Sequence, residues 1–139
     1  MKDSLQRFSL TLMVNHACNL RCTYCYTGAK FSAPMDWTIG VVAIDRALRS
    51  LGPGGRLALG FFGGEPLLEA GRILDWMDHA RNQALAGGAQ VRFSMTTNST
   101  LVHPQAWQVM TAPDLDAADV GGSLYPLSSA CRPPGSEPA

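Results

Sequence analysis

Phe8, Leu10, Leu12 and Val14 alternate with Ser9, Thr11 and Met13, and a period of two predicts a β-strand. The alternation breaks at Asn15-His16. Val41, Ile44, Leu48 and Leu51 then recur at helical spacing, predicting a helix over Asp36–Leu51 that Gly52-Pro53-Gly54-Gly55 ends. Arg56–Phe62 is almost continuously apolar, as expected of a parallel strand covered on both faces. Gly63-Gly64-Glu65-Pro66 closes it. Ile73, Met77, Ala80 and Ala84 mark a second helix running to Gly87-Gly88. Val91, Phe93 and Met95 alternate in a third strand that ends at Thr97-Asn98, and Pro104 is placed to open a short helix through Trp107 and Met110. Past Thr111 the periodicity weakens. Asp119–Leu124 is the candidate for a fourth strand. Ser, Pro and Gly dominate from Pro126, so 1–125 is read as the folded part and 126–139 as a disordered tail.

Strand, helix, strand, helix, strand, helix predicts an α/β fold with a parallel sheet and right-handed crossovers. In such folds chemistry gathers in the loops at the carboxyl ends of the strands. A 46% hydrophobic content supports a sizeable core, and 11 basic residues against 11 acidic ones give no electrostatic reason to expect nucleic acid or an anionic membrane as partner. No run approaches the roughly 20 apolar residues that span a bilayer. The polar stretch Met1–Arg7 leads straight into the first strand, so no signal peptide is read, and the cytoplasm is the expected location.

Three of the four cysteines crowd into Cys18-Asn19-Leu20-Arg21-Cys22-Thr23-Tyr24-Cys25, with Cys131 far away. Such crowding suits ligands in a reducing compartment better than a framework of disulfides. Three thiolates on a short loop can hold three irons of a cubane, whereas an electron-transfer cluster takes four. One iron then keeps an open position for a bound molecule, by the logic of catalytic zinc. A zinc site using the three thiols with His16 is the rival reading, although the usual paired C-x-x-C is absent. Three unliganded buried thiols in one loop would be poor packing material.

The pattern C-x-x-x-C-x-aromatic-C after a first strand resembles the hallmark of the radical S-adenosylmethionine (SAM) superfamily. The wider phrase CNLRCTYCYTGAKF is similar to its peptide-modifying branch, which includes anaerobic sulfatase-maturating enzymes and SPASM-domain maturases. The resemblance implies a 4Fe–4S cluster on Cys18, Cys22 and Cys25, with SAM chelated to the open iron and Tyr24 beside its adenine. It implies that Gly63, Gly64, Glu65 and Pro66 form the GGEP motif that holds the methionine amino group. Met95–Leu101 resembles the family's TNGTLL segment with Ser99 in place of glycine, which brings Asn98 to SAM or substrate; Thr97 and Asn98 equally suit capping of a turn. Val120–Pro126 resembles VSLDGP, implying a contact from Ser123 to the ribose, with Tyr125 where the aspartate stands.

The implied reaction is one-electron cleavage of SAM to a 5′-deoxyadenosyl radical. It would modify a peptide or protein substrate and draw its electron from an external flavodoxin- or ferredoxin-like reductant. The implied fold is a (β/α) partial barrel of six units, on the order of 180 residues at about 30 per unit. This chain supplies three to four units, and its tail resembles the product of a truncation or frameshift. A catalytically incompetent iron–sulfur and SAM-binding remnant, or an accessory module, is therefore the alternative to an active enzyme. An electron carrier is a third reading, disfavoured by the missing fourth cysteine. Outside these motifs, His79 and Asp75 are expected on a solvated helix face, and Trp37, Trp76 and Trp107 in the core.

Overall fold

A computed structural model describes residues 5–15, 21–22, 33–97, 103–119 and 131–132. Its strands are β1 (Leu5–Asn15), β2 (Arg21–Cys22), β3 (Leu51–Gly63), β4 (Gln90–Thr96), β5 (Leu115–Asp119) and β6 (Cys131–Arg132). The helices are α1 (Trp37–Arg49), α2 (Ala70–Gly87, entered through a 3-10 turn at Pro66–Glu69) and α3 (Pro104–Met110). β1, β3, β4 and β5 form one parallel sheet in that order, while β2 and β6 pair antiparallel. Each neighbour in the main sheet is therefore reached through a helix, the βα succession expected from the sequence.

Helix ends follow their capping residues. Asp36 accepts from the Thr38 amide at 3.4 Å and opens α1, and Arg46 and Arg49 sit in its last turn where the helix dipole favours cations. Gly88, at φ 70°, terminates α2 in the left-handed conformation. His103 opens α3 by accepting from the Ala106 amide through Nδ1 at 3.2 Å. The helices cover one face of the sheet, where Leu12, Val14, Leu57, Leu59, Phe61 and Phe93 are buried against Ile44, Ile73, Trp76, Met77 and Val109. Arg81 of α2 grips Asp114, just before β5, through Nε and Nη2 at 2.7 and 2.8 Å, and lies over the Phe93 ring. That pairing raises the Arg81 pKa and holds the Asp114 carboxyl below the usual carboxylate range.

Several expectations shift. The helix ends at Arg49 because Leu51 already pairs with Leu5. The register then jumps to Arg7 opposite Arg56, so Gly52–Gly55 form a bulge within β3, with Gly54 at φ 72°. β3 is not covered on both faces, since Ala58 is exposed between buried Leu57 and Leu59. Its other face carries Arg56, Ala58, Gly60 and Phe62, none of them buried. The fourth strand lies earlier than expected, at Leu115–Asp119, and residues 120–124 fall outside the described residues. His79 is only partly solvated: its Nε2 stands 2.8 Å from Asp45 Oδ1, and its ring meets Trp37 edge-on. Of the tryptophans, Trp76 is fully buried and stacks on a half-exposed Trp37, whereas Trp107 is exposed. Of the expected tail, Cys131 and Arg132 are described, in the strand opposite Arg21–Cys22. Among the described residues no helix is long and apolar enough to cross a membrane.

Candidate functional site

Three parallel strands end side by side at polar residues or glycine: Asn15 ends β1, Gly63 ends β3 and Thr97 directly follows β4. β1 and β3 meet almost backbone to backbone there. A Cβ on Gly63 would stand 2.1 Å from the Asn15 carbonyl oxygen, and Gly63 has φ 155°, so this position requires glycine for its packing alone. The next amide, of Gly64, donates to that same carbonyl at 3.0 Å. Glu65 is fully buried. The Thr97 hydroxyl bonds to both of its carboxylate oxygens, with Oε2 at 2.8 Å, which ties β3 to β4. Pro66, also buried, starts the turn into α2 at a position where its missing amide hydrogen leaves no bond unmade.

The Asn15 side chain extends this network. It is 3% exposed; its Nδ2 donates to Glu69 Oε1 at 2.8 Å, and its Oδ1 accepts from the Ala33 amide at 2.8 Å. One residue before Asn15 and two after Ala33, the Met35 amide donates to the Val14 carbonyl at 2.8 Å, and Arg72 Nη1 of α2 donates to the Met35 carbonyl at 2.5 Å. The chain therefore leaves the sheet at Asn15 and returns at Ala33–Met35 with both stems bonded to each other and to the start of α2. Cys18, Cys22 and Cys25 lie between those stems.

Of the residues singled out from the sequence, Gly63, Gly64, Glu65 and Pro66 come together at the end of β3. Cys22 lies in β2, where its backbone is opposite Cys131, the cysteine that reads as isolated in the sequence. Cys18, Tyr24, Cys25, Asn98 and Ser123 fall outside the described residues. Among the described residues no group of three metal-ligating side chains occurs. Thr97, expected to cap a turn or meet a ligand, bonds Glu65. Asn15, Glu69 and Arg72 were not anticipated. The signal for Asn15 was available: an amide that breaks an apolar alternation directly before a cysteine loop has to be hydrogen-bonded if it is buried.

A cubane with one open iron asks for three thiolates from one loop and a polar backbone cradle beside them. The donor chemistry of C-x-x-x-C-x-x-C, and the Gly63-Gly64-Glu65 turn against the end of the strand that leads into it, fit that demand. Residues 12–121 of the 139 match the model of the Radical SAM superfamily. The radical SAM cyclopropyl synthase TigE of Paramaledivibacter caminithermalis is 25% identical over 112 residues, covering 70% of this chain and 23% of that protein. Native anSMEcpe with bound AdoMet and Kp18Cys peptide superposes with a TM-score of 0.63 at 24% identity, covering 77% of this chain and 30% of that one. Native anSMEcpe with bound AdoMet and Cp18Cys peptide gives a TM-score of 0.60 at 21% identity, covering 78% and 30%. The chain thus spans 23–30% of the length of these relatives, in a four-stranded parallel part of the same β/α fold. With the cysteine pattern, the sheet order and a family match over most of its length in agreement, the chain belongs to the radical SAM superfamily.

Proposed function

We propose that Cys18, Cys22 and Cys25 hold a 4Fe–4S cluster, that AdoMet binds beside it against Gly63–Pro66, and that the pair serves modification of a peptide or protein. Bound there, the cluster and AdoMet supply reductive carbon–sulfur cleavage and hydrogen-atom abstraction, with the electron coming from an external reductant. Everything else falls to the chain. The bonds from Asn15 to Ala33 and from Val14 to Met35 hold the two stems of the cysteine loop at the end of β1. The Gly64 amide bonded to Asn15 keeps the GGEP turn against that strand, and the buried Glu65–Thr97 pair fixes the turn's orientation.

The observation that carries the reading is the convergence of the strand end before the cysteines and the GGEP turn at one backbone contact. Anaerobic reconstitution with iron and sulfide, followed by metal and sulfide analysis, tests the cluster. One 4Fe–4S cluster per chain is expected, with near-complete loss in Cys18→Ala, Cys22→Ala or Cys25→Ala and retention in Cys131→Ala. Gly64→Val is expected to keep the cluster and to lose the AdoMet-induced change in its electron paramagnetic resonance spectrum. Stoichiometric zinc without iron, or cluster loss in Cys131→Ala, would refute the assignment, because a fourth thiolate leaves no open iron.

A further inference from the structure

The sheet face that the helices leave uncovered carries a different chemistry at its opposite end. Arg7 of β1 and Arg56 of β3 are direct register partners, and both are exposed on that face. Arg92 of β4 joins them. Together with Asp116 of β5 they line a hollow of about 250 Å³, floored by Ser9 and Ala58. Three guanidiniums and one carboxylate leave an excess of two positive charges in a chain whose 11 basic and 11 acidic residues balance overall.

The pairing inside the hollow is incomplete. Asp116 is held by Arg92, through Nε at 2.9 Å and through Nη2, which raises the Arg92 pKa and lowers that of Asp116. The nearby Asp114 is committed to Arg81 at 2.7 and 2.8 Å. Arg56 has a 3.4 Å bond from Nη2 to the neutral Gln90 amide oxygen, and among the described residues no carboxylate pairs with Arg7 or Arg56. Like charges directly opposite each other on neighbouring strands destabilise a sheet. Arg7 opposite Arg56 is therefore an unfavourable pair unless an anion lies between them.

We propose that this hollow binds a small oxodianion, namely a phosphate group, with Arg7 and Arg56 as its forked donors and Arg92 held at its rim by Asp116. Guanidinium forks match the geometry of phosphate oxygens, and two negative charges balance the excess of two. The hollow is too small for a helix or strand of a partner and is walled by the sheet. It is also separate from the site above: eight residues of extended β1 from Arg7 to Asn15 span about 26 Å. The group is either free phosphate or the phosphate of a small monoester.

The test is isothermal titration calorimetry of the full chain, and melting at constant ionic strength, with inorganic phosphate, glycerol phosphate and sodium chloride. Phosphate is expected to bind and to raise the melting temperature, whereas chloride does neither. Preference for glycerol phosphate over inorganic phosphate identifies a monoester as the ligand. Arg7→Gln and Arg56→Gln should each weaken binding roughly tenfold, as expected for a lost charge-assisted bond pair. Arg56→Lys should recover only part, because it keeps the charge and loses the fork. Asp116→Asn should tighten binding by removing the competing carboxylate. Equal responses to chloride and phosphate would reduce the effect to screening of the Arg7–Arg56 repulsion and overturn the proposal. So would unchanged phosphate binding in the Arg7→Gln/Arg56→Gln protein. Capture of a tetraglutamate peptide but not phosphate would assign the patch to a protein partner and overturn it as well.

Discussion

Asn15 joins strand pairing, the GGEP turn and the stems of the cysteine loop: its backbone carbonyl meets the turn, and its side chain bonds Glu69 and the Ala33 amide. Replacing it with alanine removes a bond to the Glu69 carboxylate and one from the Ala33 amide. A hydrogen bond to a charged group contributes about 1.5–3 kcal/mol and a neutral one about 0.5–1.5. Asn15→Ala should therefore destabilise the apoprotein by about 2–4.5 kcal/mol. Asn15→Asp keeps an acceptor for Ala33 but sets a second carboxylate where Nδ2 lay, 2.8 Å from Glu69 Oε1. Even relaxed to about 4 Å, two like charges at an effective dielectric of about 20 repel by about 4 kcal/mol. At neutral pH the aspartate variant should thus be the worse of the two. The repulsion raises the pKa of the folded pair above its unfolded value. Stability relative to the natural chain then recovers as pH falls and one carboxyl takes a proton and donates it to the other. Anaerobic urea unfolding followed by tryptophan fluorescence, at several pH values, measures both effects, and iron loading of the same proteins measures the stems. An alanine variant within about 1 kcal/mol of the natural chain, or an aspartate variant without pH dependence, would refute the account of Asn15 as the buried tie.

Gly63→Ala should destabilise by about 2–6 kcal/mol, combining overpacking of about 1–3 with backbone strain of about 1–3, because its Cβ would fall 2.1 Å from the Asn15 carbonyl oxygen. Urea unfolding of the apoprotein checks this without any cofactor. The Asp114 carboxyl, depressed by Arg81, contributes stability that is present above the ordinary carboxylate range and lost as pH falls through it. Acid titration of the unfolding free energy should show that loss in the natural chain and a flatter profile in Arg81→Met. An unchanged profile would remove the pair from the acid response.

Much of the fold was legible because its signals are local. The alternation of β1 and β4, the Gly88 stop after α2 and the proline that opens α3 all depend on neighbours in the sequence. β5 was not legible, since Leu-Asp-Ala-Ala-Asp has neither alternation nor β-branched residues. What makes it a strand is tertiary: the β4 edge, Leu115 packed on the core, and Arg92 reaching Asp116. The bulge at Gly52–Gly55 was missed for the same reason, because only pairing with Leu5 shows that β3 has already begun. Within the site, the motif residues were legible and their partners were not. Thr97 and Asn15 bond across 32 and 54 positions of sequence, to Glu65 and Glu69, and no spacing rule reaches that far.

That long-range bonding changes what the GGEP motif means here. Read as a sequence, two glycines and a glutamate suggest a ligand cradle. In the fold, Gly63 is required by the Asn15 carbonyl, and the Glu65 carboxylate is taken up by Thr97. Architecture alone therefore accounts for two of the four motif residues, and a loss of AdoMet binding on changing either would say little about contact with the ligand. Gly64 is different, because its contact with the strand is made by its backbone amide, which a substituted residue retains. Ligand contact and scaffold are thus separable within one tetrapeptide, and Gly64 is the residue at which the chemistry of the site can be probed without dismantling the sheet that builds it.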